Sequence, residues 1–224
     1  TQPHARIVSI DTSAAPQLPS AQAVLVGRDL PIPFGILPVS QDEHTLCVDR
    51  VRFIGDPVAA VAATTEEIAS SAIDLIRVEY EALKSFASAE DAVANPEPRI
   101  HDYGDVGNLH KLIDLEFGDA EAGIAEGDIV REDLFFFEGS THLPMEQHAA
   151  VAMWSPDGKL TLWTSTQTPH YVHRALAKVL ELPAARIRVI ATPNGGGFGG
   201  KSDPFNHEIA DAKLPMMTGR PGKS

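Results

Sequence analysis

The sequence predicts an α+β chain in two parts, and three observations carry that expectation. Through the first hundred residues, short β-branched strands alternate with helical apolar spacing. A stretch rich in proline, glycine, asparagine and aspartate interrupts the apolar pattern at 95–108. Beyond it come a strand pair with strong turn chemistry, an amphipathic helix, another strand and a glycine-rich loop. The expected division is 1–104 and 105–224, with the boundary near Asp105.

Each element has a local reason. Ala5–Asp11 is apolar and β-branched, and Ala23–Val26 reads as a second strand before Gly27. Pro31–Pro38 carries three prolines and must be irregular. Val51–Ala63 reads as two strand pieces bent at Gly55 and Pro57. Thr64 or Thr65 caps a helix with Glu66 and Glu67 in its first turn, where the helix dipole favours acids. Val78–Glu81 returns to strand alternation. After the linker, Leu112–Phe117 and Asp128–Phe137 are expected as strands around a short helix at Ala120–Ala125. Ala149–Trp154 and Lys159–Thr164 flank Ser155-Pro156-Asp157-Gly158 as a hairpin. Thr168 caps and Pro169 opens the next helix, which buries Val172, Leu176, Val179 and Leu180 and stops at Leu182-Pro183. Arg186–Ala191 is the strand that leads into the glycines. Leu214-Pro215 is expected to break the last helical stretch, with a turn at Gly219–Gly222 and nothing beyond it closing a sheet. Both ends read as cuts through a larger protein.

Composition narrows the function. The 224 residues hold 18 basic and 31 acidic side chains, a net charge of -13. A surface this acidic repels phosphate backbones, which disfavours nucleic acid as a partner. No run of 18 apolar residues exists to span a membrane. The single cysteine, Cys47, makes no internal disulfide, zinc cluster or iron–sulphur ligand set, and points to a reducing, cytoplasmic setting. It reads as a small buried apolar residue. No Gly-x-Ser-x-Gly elbow is present for a serine hydrolase.

Gly195-Gly196-Gly197-Phe198-Gly199-Gly200-Lys201-Ser202 is the most unusual stretch. Five glycines are costly to order, and the usual compensation is a backbone that closely approaches a ligand. Spacing alone leaves three readings. Gly195, Gly200, Lys201 and Ser202 fit a P-loop, a nucleotide-phosphate-binding module. Gly195, Gly197 and Gly200 fit a dinucleotide fingerprint, without the acidic residue about 20 positions on that the fingerprint wants. The third is a glycine-rich connection with no ligand.

The order Thr164-Ser165-Thr166-Gln167, helix, Arg186-Ile187-Arg188-Val189, then the glycine loop to Lys201 resembles the molybdenum hydroxylases, the xanthine dehydrogenase and aldehyde oxidase family, in their large, molybdopterin-binding subunit. Residues 1–104, with the phrase Val51-Arg52-Phe53-Ile54-Gly55-Asp56-Pro57-Val58-Ala59, resemble that family's hammerhead-like α/β domain, lacking its start. Residues 105–224 resemble the first part of a mixed α/β molybdopterin-binding domain. The resemblance implies a molybdenum–molybdopterin cofactor held by its own dithiolene, with the cytosine dinucleotide form as one option and no protein metal ligand. Gln167 matches the glutamine whose amide donates to a molybdenum oxo group without adding charge. Gly197, Phe198 and Gly199 match the loop beside the metal, with main-chain N–H groups of Phe198 and Gly199 as donors and Phe198 excluding water. Without the resemblance, Gln167 reads as a surface residue of a capping turn and Phe198 as a core aromatic.

Several departures qualify the match. Ser202 stands where purine-oxidising members carry a substrate-binding glutamate, which argues against a purine. The family's catalytic base glutamate is expected downstream, so no catalytic residue is assigned in this chain, and the chain alone is expected to be inactive. Phe34-Gly35-Ile36-Leu37-Pro38-Val39 and Thr168-Pro169-His170-Tyr171-Val172-His173 are most similar to the large subunit of 4-hydroxybenzoyl-CoA reductase. The implied activity is hydroxylation, or reductive dehydroxylation, of an electron-poor carbon in an aromatic, heterocyclic or aldehyde small molecule. Iron–sulphur clusters and FAD are expected on partner subunits, making the whole a hetero-oligomer.

His142, Glu146 and His148 have metal-like chemistry with alternate spacing, so zinc and ordinary satisfied polar residues both stand as readings. His170 and His173, one turn apart, are a metal pair or a half-exposed flank. Glu66, Glu67, Glu79 and Glu81 read as solvated faces.

Overall fold

The computed structural model describes residues 2–38, 40–104 and 106–224. Thr1, Val39 of the phrase 34–39, and Asp105 at the expected boundary lie outside the described residues. The described residues of 1–85 and 142–224 make one compact unit, and those of 86–141 make a second.

In chain order, the first unit opens with β1 (Ala5–Asp11), β2 (Ala21–Val26), β3 (Arg50–Val51), β4 (Ala59–Ala63), α1 (Glu66–Ile73) and β5 (Arg77–Ala82). β1 sits between β3 and β5, antiparallel to both. β2 and β4 form a separate antiparallel pair, with Val24 opposite Val61. Thr65 caps α1 by accepting from Ile68 N–H at 3.3 Å. Cys47 is buried with Ala5 and Val51, as its small apolar character predicts. Burial pushes its thiol far up, so it is unreactive at neutral pH.

The second unit holds two short helices, α2 (Ala89–Ala94) and α3 (Ala120–Ala125). Ser88 and Asp119 cap them. The linker is folded by Asn108, whose Oδ1 accepts from Ile100 N–H and whose Nδ2 donates to the carbonyls of Asn95 and Pro98. Neither expected strand forms. Residues 112–117 and 128–137 have no ladder partner among the described residues. A strand with no neighbour leaves its N–H and C=O groups to water and gains no cross-strand packing. Leu134 and Phe136 are accordingly 99% and 91% exposed. Apolar alternation here marks a surface that wants cover; it does not supply the cover.

The first unit resumes with β6 (Ala150–Trp154), β7 (Leu160–Thr164), α4 (Pro169–Val179), β8 (Ile187–Ala191), α5 (Asn206–Thr218) and β9 (Gly222–Lys223). The sheet order is β8-β7-β6-β9. β6 and β7 form the expected hairpin, with Ala152 opposite Leu162. β8 runs parallel to β7, so β7, α4 and β8 make a βαβ unit. Leu160 and Leu162 alternate onto the buried face and meet Val172, Leu176 and Ile209 from α4 and α5. Leu25, Leu30, Phe34 and Leu46 join the same core from the N-terminal segment. Burying side chains of this size contributes roughly 1.5–3 kcal/mol each.

Three local expectations need correction. Thr168 stands at the N-cap of α4 with Pro169 first in the helix, as expected, but its side chain makes no cap bond; its hydroxyl donates to the Ser202 carbonyl at 2.8 Å, tying the helix start to the glycine loop. Pro215 does not end the last helix. It lies inside α5, which runs to Thr218 and closes on Gly219 at φ 67, because one missing N–H near a C-terminus costs a single bond that packing outweighs. The turn after it does close a sheet: β9 pairs antiparallel with β6.

Candidate cofactor site

The site is built at the C-terminal ends of two parallel strands. β7 delivers Thr164-Ser165-Thr166-Gln167, and β8 delivers Thr192–Ser202 beside it. Hydrogen bonds join the two segments. Thr192 N–H donates to Thr164 O at 3.0 Å and Gln167 N–H to Lys201 O at 2.8 Å. Asn194 Nδ2 donates to Thr166 O at 3.2 Å. The Thr164 hydroxyl donates to buried Glu208 Oε1 at 2.6 Å, and Glu208 Oε2 accepts from Phe205 N–H at 2.8 Å. Burial raises the Glu208 carboxyl above its ordinary value.

The glycine loop closes around the Gln167 side chain. Gly199 N–H and Lys201 N–H both donate to Gln167 Oε1, each at 3.2 Å. Backbone N–H groups only donate, so the amide oxygen must face them and Nε2 faces away from those donors. A Cβ on Gly197 would lie 2.4 Å from Gln167 Oε1, which is why that position has no side chain. The Gly199 N–H, expected to face the cofactor, is engaged with Gln167. Phe198 is no core aromatic. It is 75% exposed and held at φ 52. The left-handed region costs a non-glycine residue roughly 1–2 kcal/mol, a strain typical of functional loops.

His142, Glu146 and His148 hold the loop, and of their two readings the contacts favour satisfied polar residues over zinc. Among the described residues no cluster of three His, Cys, Asp or Glu side chains is arranged to hold a metal. The segment is irregular, with Leu143 at φ 39 and a bend at Met145–Glu146, and four of its side chains meet the loop. A Cβ on Gly200 would lie 2.8 Å from His142 Cγ, and one on Gly196 would lie 3.6 Å from Pro144 Cβ. His148 Nε2 donates to Gly200 O at 3.2 Å. Glu146 Oε2 accepts from Gly195 N–H at 2.9 Å and from Lys201 Nζ at 2.5 Å. The lysine hydrogen bond, then the Gly195 bond, hold the Glu146 carboxyl below its ordinary value. Sequence reasoning missed Glu146 as the partner of Lys201. The only signal was a lysine among glycines, which needs an acid somewhere if buried. His173 donates to Ala184 O at 3.1 Å, and His170 is exposed.

These contacts exclude the P-loop reading. Lys201 is fully buried and paired with a carboxylate, so it is not presented to a phosphate. The N–H groups of Gly195, Gly199 and Lys201 are spent on side chains, and those of Gly200 and Ser202 on Gly197 O and Gly199 O.

Fold and site define an α+β protein in which a βαβ unit and its glycine loop converge on one glutamine amide. Residues 100–224 match the family model of the molybdopterin cofactor-binding domain. Residues 1–84 match that of the aldehyde oxidase and xanthine dehydrogenase a/b hammerhead domain. The chain is 42% identical to the nicotinate dehydrogenase large molybdopterin subunit of Eubacterium barkeri, over all of this chain and 52% of that protein. It is 40% identical to a probable xanthine dehydrogenase subunit of Bacillus subtilis, over 99% of this chain and 29% of that protein. Among solved structures, quinoline 2-oxidoreductase from Pseudomonas putida 86 superimposes with a TM-score of 0.87 at 32% identity, over 99% of this chain and 29% of that one. The chain thus belongs to the xanthine dehydrogenase and aldehyde oxidase family of molybdenum hydroxylases, and it spans between about a third and a half of these relatives' length.

Proposed function

We propose that this chain is the hammerhead and first cofactor-binding part of a molybdenum-dependent oxidoreductase, divided at 1–104 and 105–224, and that Gln167, Gly197, Phe198 and Gly199 form its wall against molybdopterin-bound molybdenum. The observation that carries the reading is the fixed amide. Gln167 Oε1 is consumed by two loop N–H groups, so Nε2 is left as a neutral donor directed away from them. The residues fit such a group: an outward donor, a side-chain-free Gly197, and a strained, exposed Phe198 that would shield the site from water. When bound, the cofactor supplies a two-electron redox centre for oxygen exchange with carbon.

In the proposed net reaction, an electron-poor C–H and water give C–OH, two protons and two electrons; the reverse removes an aromatic hydroxyl. We place the substrate among aromatic, heterocyclic or aldehyde small molecules, with 4-hydroxybenzoyl-CoA one candidate. Two names among the relatives, nicotinate dehydrogenase and quinoline 2-oxidoreductase, favour a nitrogen heteroaromatic. Ser202 in place of glutamate argues against a purine. The base glutamate, the cytosine dinucleotide form of the cofactor, iron–sulphur and FAD-bearing partner subunits, a hetero-oligomeric assembly and a cytoplasmic setting belong to the same proposal. No helix of the described residues is long and apolar enough to cross a membrane.

The test is Gln167→Ala in the complete enzyme, with molybdenum and pterin measured per chain. The expected result is a folded protein with at least tenfold lower turnover per loaded site. Unchanged turnover at full metal content, or no pterin in the wild type, overturns the reading.

A further inference from the structure

We propose that Glu146 is a positioning residue that clamps both ends of the glycine loop and thereby aims the Gln167 amide; as a statement about the cofactor it rests on the molybdopterin reading above. Four observations carry it. The carboxylate touches the loop at its first glycine and at its lysine, through Gly195 N–H at 2.9 Å and Lys201 Nζ at 2.5 Å. Lys201 is fully buried, and a buried ammonium left without an anion is strongly unfavourable, so removing the Glu146 carboxylate costs more than the attraction alone. The same Lys201 donates its backbone N–H to Gln167 Oε1, so the residue Glu146 fixes by its side chain fixes Gln167 by its main chain. Finally, Gly195 has no room for a Cβ, which would lie 2.8 Å from Glu146 Cβ.

The chain of contacts runs Glu146, Lys201, Gln167. Loss of the carboxylate frees Lys201 to seek water, the loop loosens at its lysine end, and Gln167 loses one of the two donors that orient it. His142 and His148 brace Gly200 from the same segment, but only Glu146 grips two points of the loop that flank Gly197-Phe198-Gly199.

Amide hydrogen exchange in the full-length protein tests this, read by mass spectrometry on peptides covering 195–202. Glu146→Gln should speed exchange there at least tenfold while β6, β7 and α4 keep wild-type protection. In the loaded enzyme, Glu146→Gln should lower kcat, and Glu146→Gln with Gln167→Ala should be no slower than Gln167→Ala alone, because Glu146 acts through Gln167. A purely structural role would instead multiply the two losses. Should Glu146→Gln fail to fold, Glu146→Leu with Lys201→Met removes the buried charge problem while still removing the clamp, and the same local exchange increase is expected. Wild-type exchange in either variant, or multiplicative kcat losses, overturns the proposal. If the wild type carries no pterin, the functional reading fails, while the exchange measurement still decides the clamp.

Discussion

Gly197→Ala is the sharpest probe of the site, because its outcome follows from one contact. The new Cβ would lie 2.4 Å from Gln167 Oε1, 2.7 Å from Cδ and 3.2 Å from Cγ. Gly197 has no positive φ, so alanine adds no backbone strain and the effect is steric. The most mobile neighbour is the Gln167 side chain, and its departure breaks the two 3.2 Å bonds from Gly199 and Lys201. At about 1 kcal/mol per bond, plus about 1–2 kcal/mol for an N–H left unpaired at buried Lys201, the loss is roughly 3–4 kcal/mol. Alanine returns about 0.5–1 kcal/mol by restricting the unfolded chain. The net expectation is a destabilisation of about 2–3 kcal/mol, measured by urea denaturation against Gly139→Ala, where a Cβ meets nothing within 4 Å. In the complete enzyme, turnover should fall to that of Gln167→Ala, since both remove the oriented amide. Gly197→Ala within about 0.5 kcal/mol of wild type, with normal turnover, would refute the contact.

Four further outcomes are expected. Leu162→Ala opens a cavity in a fully buried position facing α4 and α5 and should cost about 3–5 kcal/mol by denaturant titration. Thr65→Ala removes the α1 cap and should cost about 1 kcal/mol in the same assay. Thr164→Val removes the donor to buried Glu208 and should cost about 1–3 kcal/mol, where Thr164→Ser, keeping the hydroxyl, costs less. Buried groups set opposing acid responses, His207 on one side and the carboxyls of Asp211 and Glu208 on the other. Burial lowers His207 to about 4, so its contribution is full above 6.5 and is lost as pH falls toward 4. Burial raises Asp211 to about 6, so its contribution is full below 3.8 and is lost as pH rises toward 6. The His207 and Asp211 contributions are each about 3 kcal/mol and oppose one another between pH 4 and 6. His207→Phe should therefore lose less stability than the wild type between pH 6.5 and pH 4.5, and an unchanged difference between the two pH values refutes the assignment.

The parts of the fold that were legible are those whose cause is local. Ala5–Asp11, the 155–158 turn and Thr65 each carry their own conformational reason in a few residues, and each forms as expected. The errors fall where the deciding partner is remote. Residues 112–117 and 128–137 have strand chemistry and no strand to pair with among the described residues. Short α2 buries none of its residues and has no apolar stripe to reveal it; only its Ser88 cap does. Pro215 is a poor stop signal because α5 is held by a core contributed largely from other elements.

The site divides the same way. Gln167 and the loop are legible through resemblance, but the direction of the amide depends on N–H groups 32 and 34 residues away, which no local pattern encodes. His142, Glu146 and His148 do share a target, though the backbone between them turns at Leu143 and bends at 145–146, and spacing alone could not say whether a metal or the polypeptide meets them. What meets that face is a backbone with almost no side chains of its own. A glycine loop has no apolar anchor except Phe198, which points to solvent, so its shape must be imposed from outside by hydrogen bonds and an ion pair whose lysine is buried. The same physics that makes five glycines costly to order therefore requires the wall at 142–148. It also accounts for Lys201 being turned inward: a lysine spent on rigidity is not available to a phosphate, and what the loop orients instead is the neutral amide of Gln167.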